Sequence, residues 1–128
     1  MTTELWMLVA SGALAMFLSS VPLFRAMRQQ WGFSIMLGNR EDLTPLTGWG
    51  GRTVRAYNNL MDNNLLFGTA VVLAHITGAN NEVTALAAQV YLGARIAHAA
   101  IYIAGIHALR TIAYLVGAAA TIAIALQL

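Results

Sequence analysis

Arg52, Arg55, Asn59 and Asp62 follow one another at offsets of three, four and three, so a helix through them carries all four on one face, with Asn58 at its edge. Tyr91, Arg95, His98 and Tyr102 share a face in the same way farther along, and Arg110, Thr111 and Tyr114 open a third group, its first and last members one turn apart. Guanidinium groups bind carboxylates bidentately, while amides and phenols fix orientation. If the three groups converge, the cavity is net positive and suits an anion with more than one carboxylate. The chain has no Cys, so thiol chemistry there needs a thiol from outside.

Simpler uses stand beside this one. Arg95 with Asp62 could be an ion pair tying two helices together, and His98 a hydrogen-bonded structural histidine. Arg25, Arg28, Arg52 and Arg55 could anchor helix ends at anionic headgroups. Tyr91 could be a packing aromatic, Asn63 and Asn64 helix contacts, and Trp6, Trp31 and Trp49 interfacial or loop anchors. His75 and His107 lie on no polar face. No metal site is expected, because the three His are scattered and none pairs with another one turn away. Gly48-Trp49-Gly50-Gly51 lacks the Lys and Ser or Thr of a phosphate loop.

The elements that must position these groups follow from composition. Of 128 residues 59% are hydrophobic and 9% charged, against roughly 25% charged in a soluble domain. Seven Arg, no Lys and five acids leave a net charge of +2, and the Arg are dispersed, which argues against nucleic acid as a partner. An integral membrane protein remains. A span needs about 20 mostly apolar residues, and four are predicted, at about 5–27, 52–77, 83–107 and 110–128, in a single domain over 1–128. The first has Ala13-Leu14-Ala15, which mimics a signal-peptide cleavage site, but its flank carries Glu4 instead of basic residues and it is read as retained. Residues 25–51, with Pro45 and several Gly, read as a loop. Small residues at four-residue spacing, Ser11, Ala15 and Ser19, then Ala113, Gly117, Thr121 and Ala125, allow close helix approach within or between subunits. Arg25, Arg28, Arg40, Arg52, Arg55 and Arg110 gather on one side and Glu4 and Glu82 on the other. The positive-inside tendency then puts both termini on the non-cytoplasmic side. Arg without Lys and abundant Ala point to a bacterium, hence to its inner membrane.

Three strings in order, Arg52-Thr53-Val54-Arg55-Ala56-Tyr57-Asn58-Asn59-Leu60-Met61-Asp62-Asn63-Asn64-Leu65-Leu66-Phe67, Ala94-Arg95-Ile96-Ala97-His98-Ala99-Ala100-Ile101-Tyr102 and Leu109-Arg110-Thr111-Ile112-Ala113-Tyr114, resemble the signature of the MAPEG family. These are the membrane-associated proteins of eicosanoid and glutathione metabolism, among them microsomal glutathione transferases and leukotriene and prostaglandin synthases. The resemblance covers essentially the whole chain. It implies an all-α four-helix membrane bundle assembled as a homotrimer, with glutathione as co-substrate held near the cytoplasmic side between subunits. Arg55, Asn59 and Asp62, and Arg95, His98 and Tyr102, match positions that grip the tripeptide. Arg110, Thr111 and Tyr114 match the place where its sulfur lies, and Arg28 or Arg25 would supply a first-helix arginine. The chain departs from the family in having Asp62 where Glu is usual, no Pro near Leu65-Leu66-Phe67, and Asn58 where the prostaglandin synthase branch has Arg.

The activity so implied is conjugation of glutathione thiolate to apolar electrophiles from the bilayer, or reduction of lipid hydroperoxides. A free thiol with a pKa of about 8.5 to 9 is only slightly ionised at neutral pH, and a nearby cation lowers that value; Arg110 is the expected cation. The alternatives are a non-catalytic oligomeric scaffold that retains the anion pocket, and a small channel or proton relay built on Arg95, His98 and Asp62.

Overall fold

The computed structural model describes residues 1–28, 32, 37–39 and 44–128, which form four α-helices and, among these described residues, no strand. They are α1 (Thr3–Ala26), α2 (Gly48–Thr77), α3 (Glu82–Ala104) and α4 (His107–Ala125). Arg40, placed by the sequence on the basic side, and Trp31, read there as an anchor, lie outside the described residues.

Local chemistry sets the helix ends. Gly78, at φ +72°, closes α2 in the left-handed conformation, and the Ala79 amide returns to the Ala74 carbonyl at 2.9 Å. Asn81 caps α3 by accepting from the amides of Val83 and Thr84, and Thr84 Oγ1 accepts from the Asn81 amide, a reciprocal box. Gly105, at φ +85°, ends α3, and only Gly105 and Ile106 separate it from α4. Such short joints make neighbours antiparallel.

The boundaries differ from those expected in one instructive place. Gly48-Trp49-Gly50-Gly51, which composition assigns to a loop, is the first turn of α2. Close approach explains the glycines: a Cβ on Gly50 would fall 2.8 Å from Arg25 Cδ, and one on Gly51 would collide with the Leu46 carbonyl oxygen. The third helix stops at Ala104 and the fourth begins at His107, shifts of three residues from the predicted ends.

α1, α3 and α4 are long and apolar enough to cross a membrane, by length and composition. α2 is not among them, because its charges and amides lower its hydropathy. Its 30 residues nonetheless run about 45 Å, more than a hydrocarbon core. Contacts pin it alongside the others: Trp49 and Gly50 pack on Arg25 at the end of α1, and Arg52 Nε donates to the Ile103 carbonyl at the end of α3 at 2.7 Å. One end of the bundle therefore gathers the close of α1, the start of α2, the close of α3 and the start of α4.

At the other end Glu4 is buried and accepts a short hydrogen bond from Thr84 Oγ1, and Asn81 Nδ2 donates to Gln127 Oε1 at 2.9 Å. Between the ends the core is aromatic and small: Phe67, Val71, Ala74, Ala88, Tyr91 and Ile124 form one cluster, and Ala15, Leu18, Leu60 and Ala99 another. Of the small-residue stripes, Ser11, Ala15, Ala113 and Gly117 are buried inside the subunit, while Ser19 and Ala125 are exposed. Lipid gives helices little hydrophobic drive to associate, so small residues that let backbones approach and hydrogen bonds between helices hold such a bundle.

Candidate anion-binding site

Arg95 is the centre of the polar interior. Its side chain, 1% exposed, enters the space between α2 and α4. Nη2 donates to Asn63 Oδ1 at 2.7 Å and Nη1 donates to Asn59 Oδ1 at 3.4 Å. The ion pair with Asp62 envisaged from the sequence is not formed: amides take its place, and Asp62 is exposed on the outer side of α2. The physical reason is register. Asn63 stands one full turn after Asn59, on the side facing α3, and donates its own Nδ2 to the Asn59 carbonyl at 2.7 Å, which orients Oδ1 toward the guanidinium. A fully buried guanidinium facing neutral amides keeps its whole charge, and its Nε is buried with no acceptor.

Aromatic rings complete the setting. The Arg95 guanidinium lies 5.0 Å from the Tyr91 ring and 5.5 Å from the Tyr114 ring, distances at which a ring face attracts a cation. Tyr91 is itself fixed, stacked on Phe67 at 3.8 Å and donating its hydroxyl to Asn64 Oδ1 at 2.8 Å. Gly117 of α4 makes the remaining wall: a Cβ there would lie 3.0 Å from Arg95 Cζ and Nη2. Asn63, Asn64 and Gly117 were read from the sequence as packing residues. The signal that could have singled out Asn63 is its place one turn after Asn59. For Gly117 no sequence signal distinguishes a wall from a stripe of small residues.

A second chain of contacts runs along the α3–α4 corner. The Arg110 guanidinium sits 4.9 Å from the Tyr102 ring, and Tyr102 meets His98 edge-on at 5.5 Å. His98 is buried, as its structural reading required. Thr111 is exposed and Tyr114 38% exposed, so both remain available from outside the subunit. Since Tyr114 is one turn beyond Arg110 and also faces Arg95, it links the two arginines.

The remaining expected residues are more dispersed. Arg55 is exposed on α2, one turn before Asn59. Arg52, grouped with it by periodicity, is committed to the Ile103 carbonyl and packs beside Gly105. Arg28 lies with Arg25 in a separate cavity of about 550 Å³ between α1 and α2, lined also by Val21, Phe24 and Trp49. Within one subunit, then, Asn59, Arg95 and Tyr114 are brought together, as are His98, Tyr102 and Arg110, whereas Arg55 and Asp62 present an open α2 face.

A metal has no evident seat: no group of three or more His, Cys, Asp or Glu occurs among the described residues. No curated protein and no solved structure matches the chain significantly. A family model does match, across residues 5–128. With four helices, three of them apolar enough to span, and the arginine, amide and tyrosine strings in family order on α2, α3 and α4, this integral membrane protein belongs to the MAPEG family.

Proposed function

We propose that this protein is a glutathione-dependent membrane transferase, seating the tripeptide at the end of the bundle where Arg55, Arg95 and Arg110 lie. The observation that carries the reading is the Arg95 guanidinium, buried, facing only neutral amides and holding an unsatisfied Nε. Burying such a cation costs at least about 2.5–3.5 kcal/mol on insertion scales, and it persists where a partner or a task repays it. A dicarboxylate peptide is such a partner. Arg55, Asn59 and Asp62 would hold its backbone and carboxylates from α2, with Arg95, His98 and Tyr102 opposing them from α3.

Because Arg55 and Asp62 face outward on the subunit, the seat is completed by a second copy, in the homotrimer that family likeness suggests. Arg110, with Thr111 and Tyr114 one turn around it, would hold the sulfur. A guanidinium near the thiol favours the thiolate and so lowers its pKa. The thiolate then attacks an apolar electrophile from the bilayer: a carbon–sulfur bond forms and the leaving group departs with the bonding pair. With a hydroperoxide the thiolate attacks oxygen, the O–O bond breaks, an alcohol leaves after protonation, and a second glutathione converts the sulfenic acid to disulfide and water.

The test is glutathione-dependent turnover by purified protein in detergent, screened against aryl halides and lipid hydroperoxides, with bound thiolate followed by its ultraviolet band. Thiolate formation and turnover support the reading; absence of glutathione binding sinks it. Binding without turnover supports a non-catalytic oligomer instead, which the outward, unengaged Asp62 favours.

A further inference from the structure

We propose that the cavity between the end of α1 and the first turn of α2 is a distinct site for the phosphate of an anionic phospholipid, with Arg25 and Arg28 as its cationic groups and Val21, Phe24 and Trp49 as its apolar wall. Arg25 is held in place before any ligand arrives. Its guanidinium lies 4.2 Å from the Trp49 ring centroid, and the absence of a side chain on Gly50 lets it close on the α2 backbone. Its Nε is buried without an acceptor, while Arg28 lines the same space and no carboxylate does.

Two guanidiniums with a spare donor call for an anion. The lining shows what kind, since Phe24 is 63% and Trp49 45% exposed, at the point where the apolar run of α1 ends. Aromatic residues and arginines at that level are where a bilayer presents headgroup phosphate above acyl chain. A soluble anion would gain nothing from the apolar side; a phospholipid satisfies both halves. This site does not depend on the glutathione reading, because none of Arg55, Arg95 and Arg110 lines the cavity.

The experiment is native mass spectrometry of the purified full chain in detergent with phosphatidylglycerol, phosphatidylcholine, inorganic phosphate or glutathione added, with helix content checked by circular dichroism. Phosphatidylglycerol should be retained over phosphatidylcholine, and Arg25→Gln should weaken that retention about fivefold. If Arg25→Gln loses helix content, Gly50→Ala serves in its place. It adds a Cβ that displaces the Arg25 side chain, and it should weaken retention similarly. Equal retention of the two lipids, or full retention by a folded Arg25→Gln or Gly50→Ala, overturns the proposal. Displacement by inorganic phosphate assigns the cavity to a soluble anion, and displacement by glutathione makes it part of the tripeptide's seat; either result also overturns it.

Discussion

The two ends of this bundle handle charge in opposite ways. At the end holding both termini, the Glu4 carboxylate is answered by Thr84 and the Asn81 amide by Gln127, so residues from three separated stretches satisfy one another. At the other end, Arg95 meets only amides and rings, Arg110 only a ring, and the buried Nε atoms of Arg25 and Arg95 have no acceptor. Buried donors without acceptors are costly, and a fold keeps them where something else supplies the missing charge. The first end is a clasp, complete within the chain. The second is a set of donors whose complement comes from outside.

Substitutions measure that difference. Arg95→Ala should be the most damaging: it leaves the Asn59 and Asn63 oxygens unsatisfied inside the bundle, with a loss of about 2–4 kcal/mol read by thermal unfolding, and it removes glutathione affinity as well. Arg110→Ala should leave folding nearly unchanged yet diminish the thiolate band about tenfold, the effect of one pKa unit. If that band survives at full strength, Arg110 has another task. Gly117→Ala should cost about 1–3 kcal/mol, since the methyl falls at 3.0 Å from a guanidinium that has little room to yield, and should weaken glutathione binding in the same assay. Glu4→Gln keeps an acceptor for Thr84 and should cost about 1 kcal/mol or less, with glutathione affinity unaltered. Were Glu4→Gln to weaken glutathione binding as much as Arg110→Ala, the contrast between the two ends would collapse.

Helix number, helix order and family were legible because apolar run length and the arginine and tyrosine spacings are one-dimensional signals. The partner of Arg95 was not. Asp62 and Asn63 are adjacent, and periodicity alone assigns charge to charge; which of the two faces α3 depends on the crossing of two helices. Nor was the start of α2 readable. Gly48-Trp49-Gly50-Gly51 has loop composition, and its glycines answer to the Arg25 side chain and the Leu46 carbonyl, neighbours that only folding brings near. Arg52 shows the same limit, for its periodicity with Arg55 does not reveal that a backbone carbonyl of α3 has already claimed it.

The joint between α3 and α4 is two residues long, and Arg52 fastens it by gripping the carbonyl just before it. Tyr102 and Arg110 stand on either side of that joint, so their separation is set by stiff backbone and not by a pivot. Any gap wide enough to admit a bulky hydrophobic guest must then open elsewhere, and α1, tethered to α2 by a long connection, is the wall with freedom to swing aside.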